Sequence, residues 1–224
     1  MIRLFTGWDF REAIGWTTFC HSVTARASAP ISIIPMTGHQ FDGSNAFTYS
    51  RFFVPQMCDY QGWAIFADGC DQICLADMAD LWALRDERYA VQVVKHDYQT
   101  RDAVKYRGTE MECRNVNYRC KNWSSLMLIN CGHPKAIRPS VNWTLEAHQF
   151  AWLTDEEIGE LPPEWNWLCD EYGENSDAKI LHWTRGLPCF TEYRDTPMAE
   201  HWFGEYLSSQ RGLQPPKEVL CSQP

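Results

Sequence analysis

The sequence predicts an α/β layer fold, with a mainly parallel central sheet flanked by helices. Three observations carry this reading. Apolar runs of strand length, at residues 2–6, 31–35, Trp63–Ala67, 89–94 and 126–129, alternate with segments of helical spacing. Trp63–Ala67 and 126–129 are continuous apolar runs, as strands covered on both faces require. With 224 residues, 45% hydrophobic and 22% charged, the chain can bury a sizeable core.

The elements follow in order. Residues 2–6 read as the first strand, ending in the turn Gly7-Trp8-Asp9, and residues 11–23 have helical spacing. Residues 31–35 form a second apolar run. Residues 47–57 have helical spacing interrupted at Pro55, which lacks an N–H to donate. Trp63–Ala67 is a strand, 76–84 a short helix, and 89–94 a valine-rich strand. After a polar loop, 126–129 is another strand. Residues 145–152 and 155–161 read as helices, the second stopped by Pro162-Pro163, and 179–182 is a last short strand. The segment 211–224, rich in Pro, Gln and Ser, is expected to be a flexible tail, leaving 1–210 as one domain. There is no internal repeat, low-complexity tract or apolar run near the roughly 20 residues of a membrane span.

Parallel sheets bind ligands beyond the carboxyl ends of their strands. Asp68-Gly69-Cys70-Asp71 stands at such an end. Two carboxylates at the end of a buried strand are costly unless a cation lies between them, and a divalent metal carrying a phosphate ligand answers that need. The two aspartates are three apart, so a turn at Gly69 must bring them to one ion. The same residues also read as a solvated loop, or Asp68 as a cap for the helix starting near Asp77. His182, ending the last strand, reads either as a neutral imidazole ligand or as a packed histidine. Arg185, in the Gly/Pro turn that follows, suits bidentate contact with a diphosphate. The cluster Lys121-Asn122-Trp123-Ser124-Ser125 suits a hydroxyl-rich ligand or is an ordinary loop. Lys95-His96-Asp97 is a solvated strand end or a contact on the sugar or acceptor side.

A net charge of −9 argues against a duplex-binding surface, which needs a basic footprint. A phosphorylated ligand would then need local positive charge, from a metal or a few Arg and Lys. Eleven Trp serve core packing and also line sugar and nucleotide pockets. The ten cysteines are expected to be reduced and mostly buried as small hydrophobes, because a chain this long needs no staples and its N-terminus reads as a strand rather than a secretory signal. That places the protein in the cytoplasm and makes the sequons Asn122-Trp-Ser and Asn142-Trp-Thr incidental. A zinc site from Cys113, Cys120, Cys131 and His133 lacks any paired CxxC spacing.

Taken together, these residues resemble the nucleotide-sugar glycosyltransferases of the GT-A type, in particular the family 8-like branch with its many bacterial and phage members. The resemblance runs in one order from Ile2 to about Trp202. Phe5-Thr-Gly-Trp-Asp-Phe-Arg-Glu12 resembles the first strand and the nucleotide-facing turn. Phe47-Thr-Tyr-Ser-Arg51-Phe-Phe-Val-Pro55 resembles the helix whose arginine lies near the donor. Ala64-Ile-Phe-Ala-Asp68-Gly-Cys-Asp71 stands where the family carries its DxD metal motif. Lys121-Asn-Trp-Ser-Ser-Leu-Met-Leu-Ile-Asn130 resembles the sugar-side strand. Trp152-Leu-Thr-Asp155-Glu-Glu-Ile-Gly and Leu161-Pro-Pro-Glu-Trp-Asn166 resemble the acceptor-side helix and its loop. Leu181-His182-Trp-Thr-Arg-Gly186-Leu-Pro188 resembles the segment carrying the third metal ligand. Two departures stand out: Asp-Gly-Cys-Asp is one residue longer than DxD, and Leu187 replaces the lysine usual before the last proline.

The resemblance implies a single-domain GT-A (Rossmann-like) hexosyltransferase. It would move a sugar from a nucleoside diphosphate sugar, a UDP-sugar first, to an unidentified acceptor, with Mn²⁺ or Mg²⁺ and with retention. Asp68, Asp71 and His182 would hold the metal. Thr6, Gly7 and Asp9 would face the base. Arg51 would approach the diphosphate or the donor sugar, phosphate neutralisation would fall to Arg185, Lys179 or the metal, Lys121 would stand with the donor, and Asn122, Ser124, Ser125 and Asp155 would hold sugar hydroxyls. Asp155 and Glu156, with Arg51, would stand near the reacting face. Two other classes compete: a metal-dependent phosphohydrolase using the same aspartates, and a zinc-stabilised binding module.

Overall fold

The computed structural model describes residues 1–38, 45–138 and 145–211. Strand β1 (Ile2–Gly7) leads through a single 3-10 turn into helix α1 (Ala13–Thr24), and β2 (Ile31–Met36) returns alongside β1. A 3-10 turn, Ser50–Phe53, runs into α2 (Val54–Met57), then β3 (Trp63–Ala67), β4 (Gln72–Cys74) and α3 (Met78–Ala83). Next come β5 (Val91–Val93), the small hairpin strands β6 (Val104–Lys105) and β7 (Cys113–Arg114), and β8 (Leu126–Asn130). The chain continues through α4 (Leu145–His148), β9 (Ile158–Glu160), β10 (Trp167–Leu168), α5 (Cys169–Tyr172), β11 (Ile180–His182) and α6 (Ala199–Gln210). The sequon at Asn142 and residues 212–224 lie outside the described residues.

Six strands form the central sheet in the order β2-β1-β3-β8-β5-β9. Only β8 runs against its neighbours; every other pairing is parallel. Both faces are covered, which explains why β3 and β8 are buried along their whole length. Along β3, Trp63, Ile65 and Ala67 join one core with Leu4, Phe19 and Leu128, while Ala64 and Phe66 join the other with Phe5, Val93 and Met127. A third cluster, built on Ile73, Leu181, Trp183 and Trp202, packs around a smaller sheet, β10-β11-β4.

The smaller sheet positions the site. β4 and β11 are antiparallel with Gln72 opposite His182, so residues more than a hundred apart in sequence meet beside the acidic turn. That turn is tied down on every side. Asp68 N–H donates to Ser125 O at 2.9 Å, and Trp183 N–H to Asp71 O at 3.0 Å. Gly69 has φ +74° and permits the reversal that places the two aspartates on one side. Helix α1 approaches so closely that a Cβ on Gly15 would lie 2.0 Å from Cys70 O.

The structure redraws several expected elements. Residues 155–161 are not a helix. Asp155–Glu157 is a single 3-10 turn closed by a Thr154/Glu157 capping box, and Ile158–Glu160 is drawn out as β9 by pairing with β5. Helix α4 ends at His148, because Phe150 turns to φ +54° and buries its ring in the core. The strand expected over 89–94 shortens to Val91–Val93. Helix α6, β4, β10 and the β6–β7 hairpin had no counterpart in the sequence reading. Asp77, not Asp68, caps α3, accepting from Ala79 N–H at 2.8 Å.

Candidate active site

Beyond the end of β3 lies an open cavity of about 560 Å³. Asp68, Asp71 and His182 meet at its floor, each offering a ligand atom within 4.8 Å of the others. Among the described residues this is the one such group. Cys113, Cys120, Cys131 and His133 form no cluster of that kind, and the nine described cysteines are free thiols.

The electrostatics of the floor follow from burial. Desolvation pushes the Asp68 carboxyl up to about 6, against the pull of the Arg51 guanidinium 2.7 Å away. Burial acts on Asp71 in the same direction, but His182, whose Nε2 lies 3.3 Å from Asp71 Oδ2, outweighs it and holds Asp71 below the usual carboxylate range. His182 is the mirror case: burial would lower it, yet Asp71 and then Asp68 raise it. Its Nδ1 lies 3.0 Å from Asn166 Oδ1, so the ring donates there and turns Nε2 toward the aspartates. Asp71 Oδ1 is buried with no hydrogen-bond partner among the described residues. A buried carboxylate oxygen without a partner, beside a second carboxylate and an imidazole nitrogen, is a donor set that fits a hard or borderline divalent cation.

Arg51 is the electrostatic keystone of the wall. It is buried, donates to Thr48 O at 2.9 Å and Ser124 O at 2.7 Å, and lies 4.9 Å from the centre of the Phe66 ring. Ser124 Oγ lies 2.8 Å from His148 Nδ1. Asn166 donates to Ser125 Oγ at 2.9 Å and to His96 Nε2 at 3.1 Å, linking the segment before β8 to His182. Lys121 Nζ donates to Asn115 Oδ1 at 2.5 Å and Val116 O at 2.8 Å, and burial followed by Lys105 lowers it to about 8. Behind the floor, Glu12 is fully buried and accepts from Asn45 Nδ2 at 2.5 Å. Burial, then Asp71 and Asp9, raises it well above the carboxylate range.

The cavity thus gathers Arg51, Asp68, Asp71, Lys121, Asn122, Ser124, Ser125 and His182 of the expected site residues. The rest stand elsewhere among the described residues. Thr6 accepts from Trp16 Nε1 at 2.8 Å, and Gly7 packs against the Phe47 ring. Asp9 is buried as the partner of Arg11 and of the Ala46 N–H. The turn after β1 is therefore filled from within. Arg185 is engaged by Asp102 and by Asp170, the latter at 3.3 Å. Asp155 pairs with Arg119 at 2.6 Å on the exposed surface, and Glu156 beside it is also exposed. None of these lines the cavity. Residues the sequence reading missed are Lys105, Tyr106, Arg114 and His148, which the β6–β7 hairpin and α4 bring to the wall.

Buried His96 yields a pH dependence. Desolvation, then His182, lowers it to about 3, so between that value and the unfolded pKa only the unfolded chain binds the proton. A depressed histidine costs stability as pH falls, by about 1.4 kcal/mol per pH unit over that window. Urea denaturation of wild type and His96→Gln from about pH 7 to about pH 4 should show wild type losing ground by roughly that slope below about pH 6. A gap between the two that is constant with pH would contradict it.

The chain is 37% identical over 225 residues to Protein CDI of Arabidopsis thaliana, a match spanning 91% of this chain and 85% of that protein. The chain belongs to the Protein CDI family. No protein-family model matches it. Among solved structures it is similar to the galactosyltransferase LgtC, crystallised with donor and acceptor sugar analogues, at a TM-score of 0.61 and 10% identity over 98% of this chain and 99% of that one. It is also similar to the glycosyltransferase GlyE of Streptococcus pneumoniae at a TM-score of 0.63 and 11% identity, covering 92% of this chain and 61% of that one. The bifunctional glycosyltransferase WbbM matches at a TM-score of 0.57 and 14% identity, and this chain spans 50% of its length. The fold is that of the GT-A glycosyltransferases. Among the described residues no helix is long and apolar enough to cross a membrane.

Proposed function

We propose that this chain is a metal-dependent glycosyltransferase of the family 8-like kind, moving a sugar from a nucleoside diphosphate sugar, a UDP-sugar first, to an acceptor with retention. The observation that carries this reading is the Asp68–Asp71–His182 group on the floor of a cavity whose wall supplies Lys105, Arg114 and Lys121. An acidic protein that binds a diphosphate needs such a local excess of positive charge.

Asp68, Asp71 and His182 would hold Mn²⁺ or Mg²⁺, and when bound the ion supplies positive charge where the leaving diphosphate gathers negative charge. The chain's own residues do the rest. Lys105 and Lys121 draw the phosphates toward the floor. Arg51 keeps Asp68 ionised and in place. Asn122, Ser124 and Ser125 present hydrogen-bonding groups to sugar hydroxyls, and the half-buried Tyr49 and Tyr118 offer flat apolar faces along the wall.

A thermal-shift series with UDP, GDP and CDP, each with and without Mn²⁺, tests the donor site. A ligand at about 100 times its Kd adds roughly 2.7 kcal/mol to native stability. UDP with Mn²⁺ should raise the melting temperature well beyond either alone. No nucleotide shift that depends on the metal would remove the proposal. Turnover stimulated by an added sugar acceptor would separate transfer from phosphate hydrolysis by the same aspartates.

A further inference from the structure

A second cavity, also of about 560 Å³, opens beside the first and shares Tyr118 and Lys121 with it. Its wall is built from the ends of two segments: Lys95-His96-Asp97-Tyr98 after β5, and the loop from Asn117 to Trp123 before β8. The two cavities are also tied through Asn122 of the first, whose Nδ2 donates to Tyr98 OH of the second at 2.6 Å; within the second, Trp123 Nε1 donates to His96 O at 2.9 Å and joins its two segments. Apart from the shared Tyr118 and Lys121, the donor reading uses none of the residues that line this space.

Two properties of the wall point to its ligand. The first is charge. Lys95, Arg119 and Lys121 face the cavity against Asp97 alone, in a chain whose net charge is −9. Lys95 has no ion pair among the described residues; its ammonium rests over the Trp123 indole, 5.9 Å from the ring centre. Arg119 pairs only with the exposed Asp155, a contact worth little in water and readily exchanged for a ligand anion. The second is ring surface. Tyr98, Tyr118 and Trp123 are partly exposed along the wall, the kind of flat apolar face on which sugar rings lie.

We propose that this second cavity is the acceptor subsite and that it takes an anionic glycan, a sugar carrying carboxylate or sulfate, held by Lys95 and Arg119. The assignment of the cavity as an acceptor subsite rests on the donor reading above; the ligand chemistry does not. Lys95 and Arg119 would grip the anionic group while the sugar ring lies against Trp123 and Tyr98. The shared wall at Tyr118 and Lys121 would bring the acceptor's hydroxyl toward the donor sugar.

Isothermal titration of the full chain with Mn²⁺ and UDP tests this. The probes are a galacturonic acid trimer, its methyl-esterified neutral form, and a sulfated galactose trimer. At least one anionic trimer should bind about tenfold or more tighter than the neutral one, since a single charge-assisted contact is worth that much. Which anion binds tighter identifies the group. Lys95→Gln should weaken the anionic trimer about tenfold, and Lys95→Arg should restore it, while the melting shift from Mn²⁺ and UDP stays as in wild type. Equal affinity for neutral and anionic trimers, undiminished binding by Lys95→Gln, or no binding of any trimer would overturn the proposal. If UDP and Mn²⁺ give no shift while the anionic trimer binds through Lys95, the donor reading fails and the anionic-glycan site stands.

Discussion

Asp71→Asn is expected to lower sugar transfer by roughly 10²–10³, about the loss seen when one preorganised electrostatic contact to a developing charge is removed. The substitution keeps the shape of the side chain and its ability to accept from Tyr106 OH, 3.5 Å away, so the floor should stay folded. What it removes is a buried negative charge that His182 keeps ionised against the pull of desolvation. Without it the donor set holds one carboxylate and one imidazole, and the imidazole loses the neighbour that raises its pKa. The measurement is UDP release from a panel of UDP-sugars with Mn²⁺, paired with the metal-dependent melting shift. Both should fall together. Turnover like wild type in Asp71→Asn would remove the metal role from this residue.

The legibility of this site in the sequence was uneven, for physical reasons. Asp68 and Asp71 announced themselves because two charges directly follow an apolar strand, and His182 because it ends another. What the sequence could not state is that they meet: the Gln72–His182 register across the smaller sheet does that, and β4 is only three residues long. Arg51 was marked only by resemblance, since an arginine in a short aromatic segment has no pattern of its own. Lys105 and Tyr106 reach the cavity from a two-stranded hairpin too short for periodicity to reveal, and His148 from a helix that was legible while the direction it faces was not. Thr6, Gly7, Asp9 and Asp155 were expected at the ligand from the resemblance, and the cavity does not gather them. Thr6 and Gly7 end β1 and Asp9 follows it, where a ligand-binding turn would stand, but Trp16, Phe47 and Arg11 occupy that place from inside. Asp155 was placed on a helix face that tertiary pairing replaced with an exposed turn and an edge strand.

The largest stability effect is expected at Arg51. Arg51→Met keeps the length and apolar packing of the side chain but leaves Asp68 as a buried charge without its partner, and breaking a buried pair in this way costs about 3–5 kcal/mol. Two carbonyls, Thr48 O and Ser124 O, also lose their donor. The sign of the pH dependence follows from Asp68. Burial already raises its native pKa to about 6, above the unfolded value, so the native state takes up a proton that the unfolded chain does not as pH falls toward 4. Removing Arg51 raises that native pKa further. The deficit should therefore be largest at about pH 8 and shrink on acidification, as protonation of Asp68 removes the unpaired charge. Divalent metal offers a second route to the same relief. If Asp68 is a ligand, Mn²⁺ should recover more stability in Arg51→Met than in wild type, because it replaces the missing positive charge. Urea unfolding at about pH 8 and about pH 5, with and without Mn²⁺, reads all three effects. A loss under about 1 kcal/mol at the higher pH would mean that Asp68 is solvated enough to stand without Arg51, and the case for a cation-demanding floor would weaken with it.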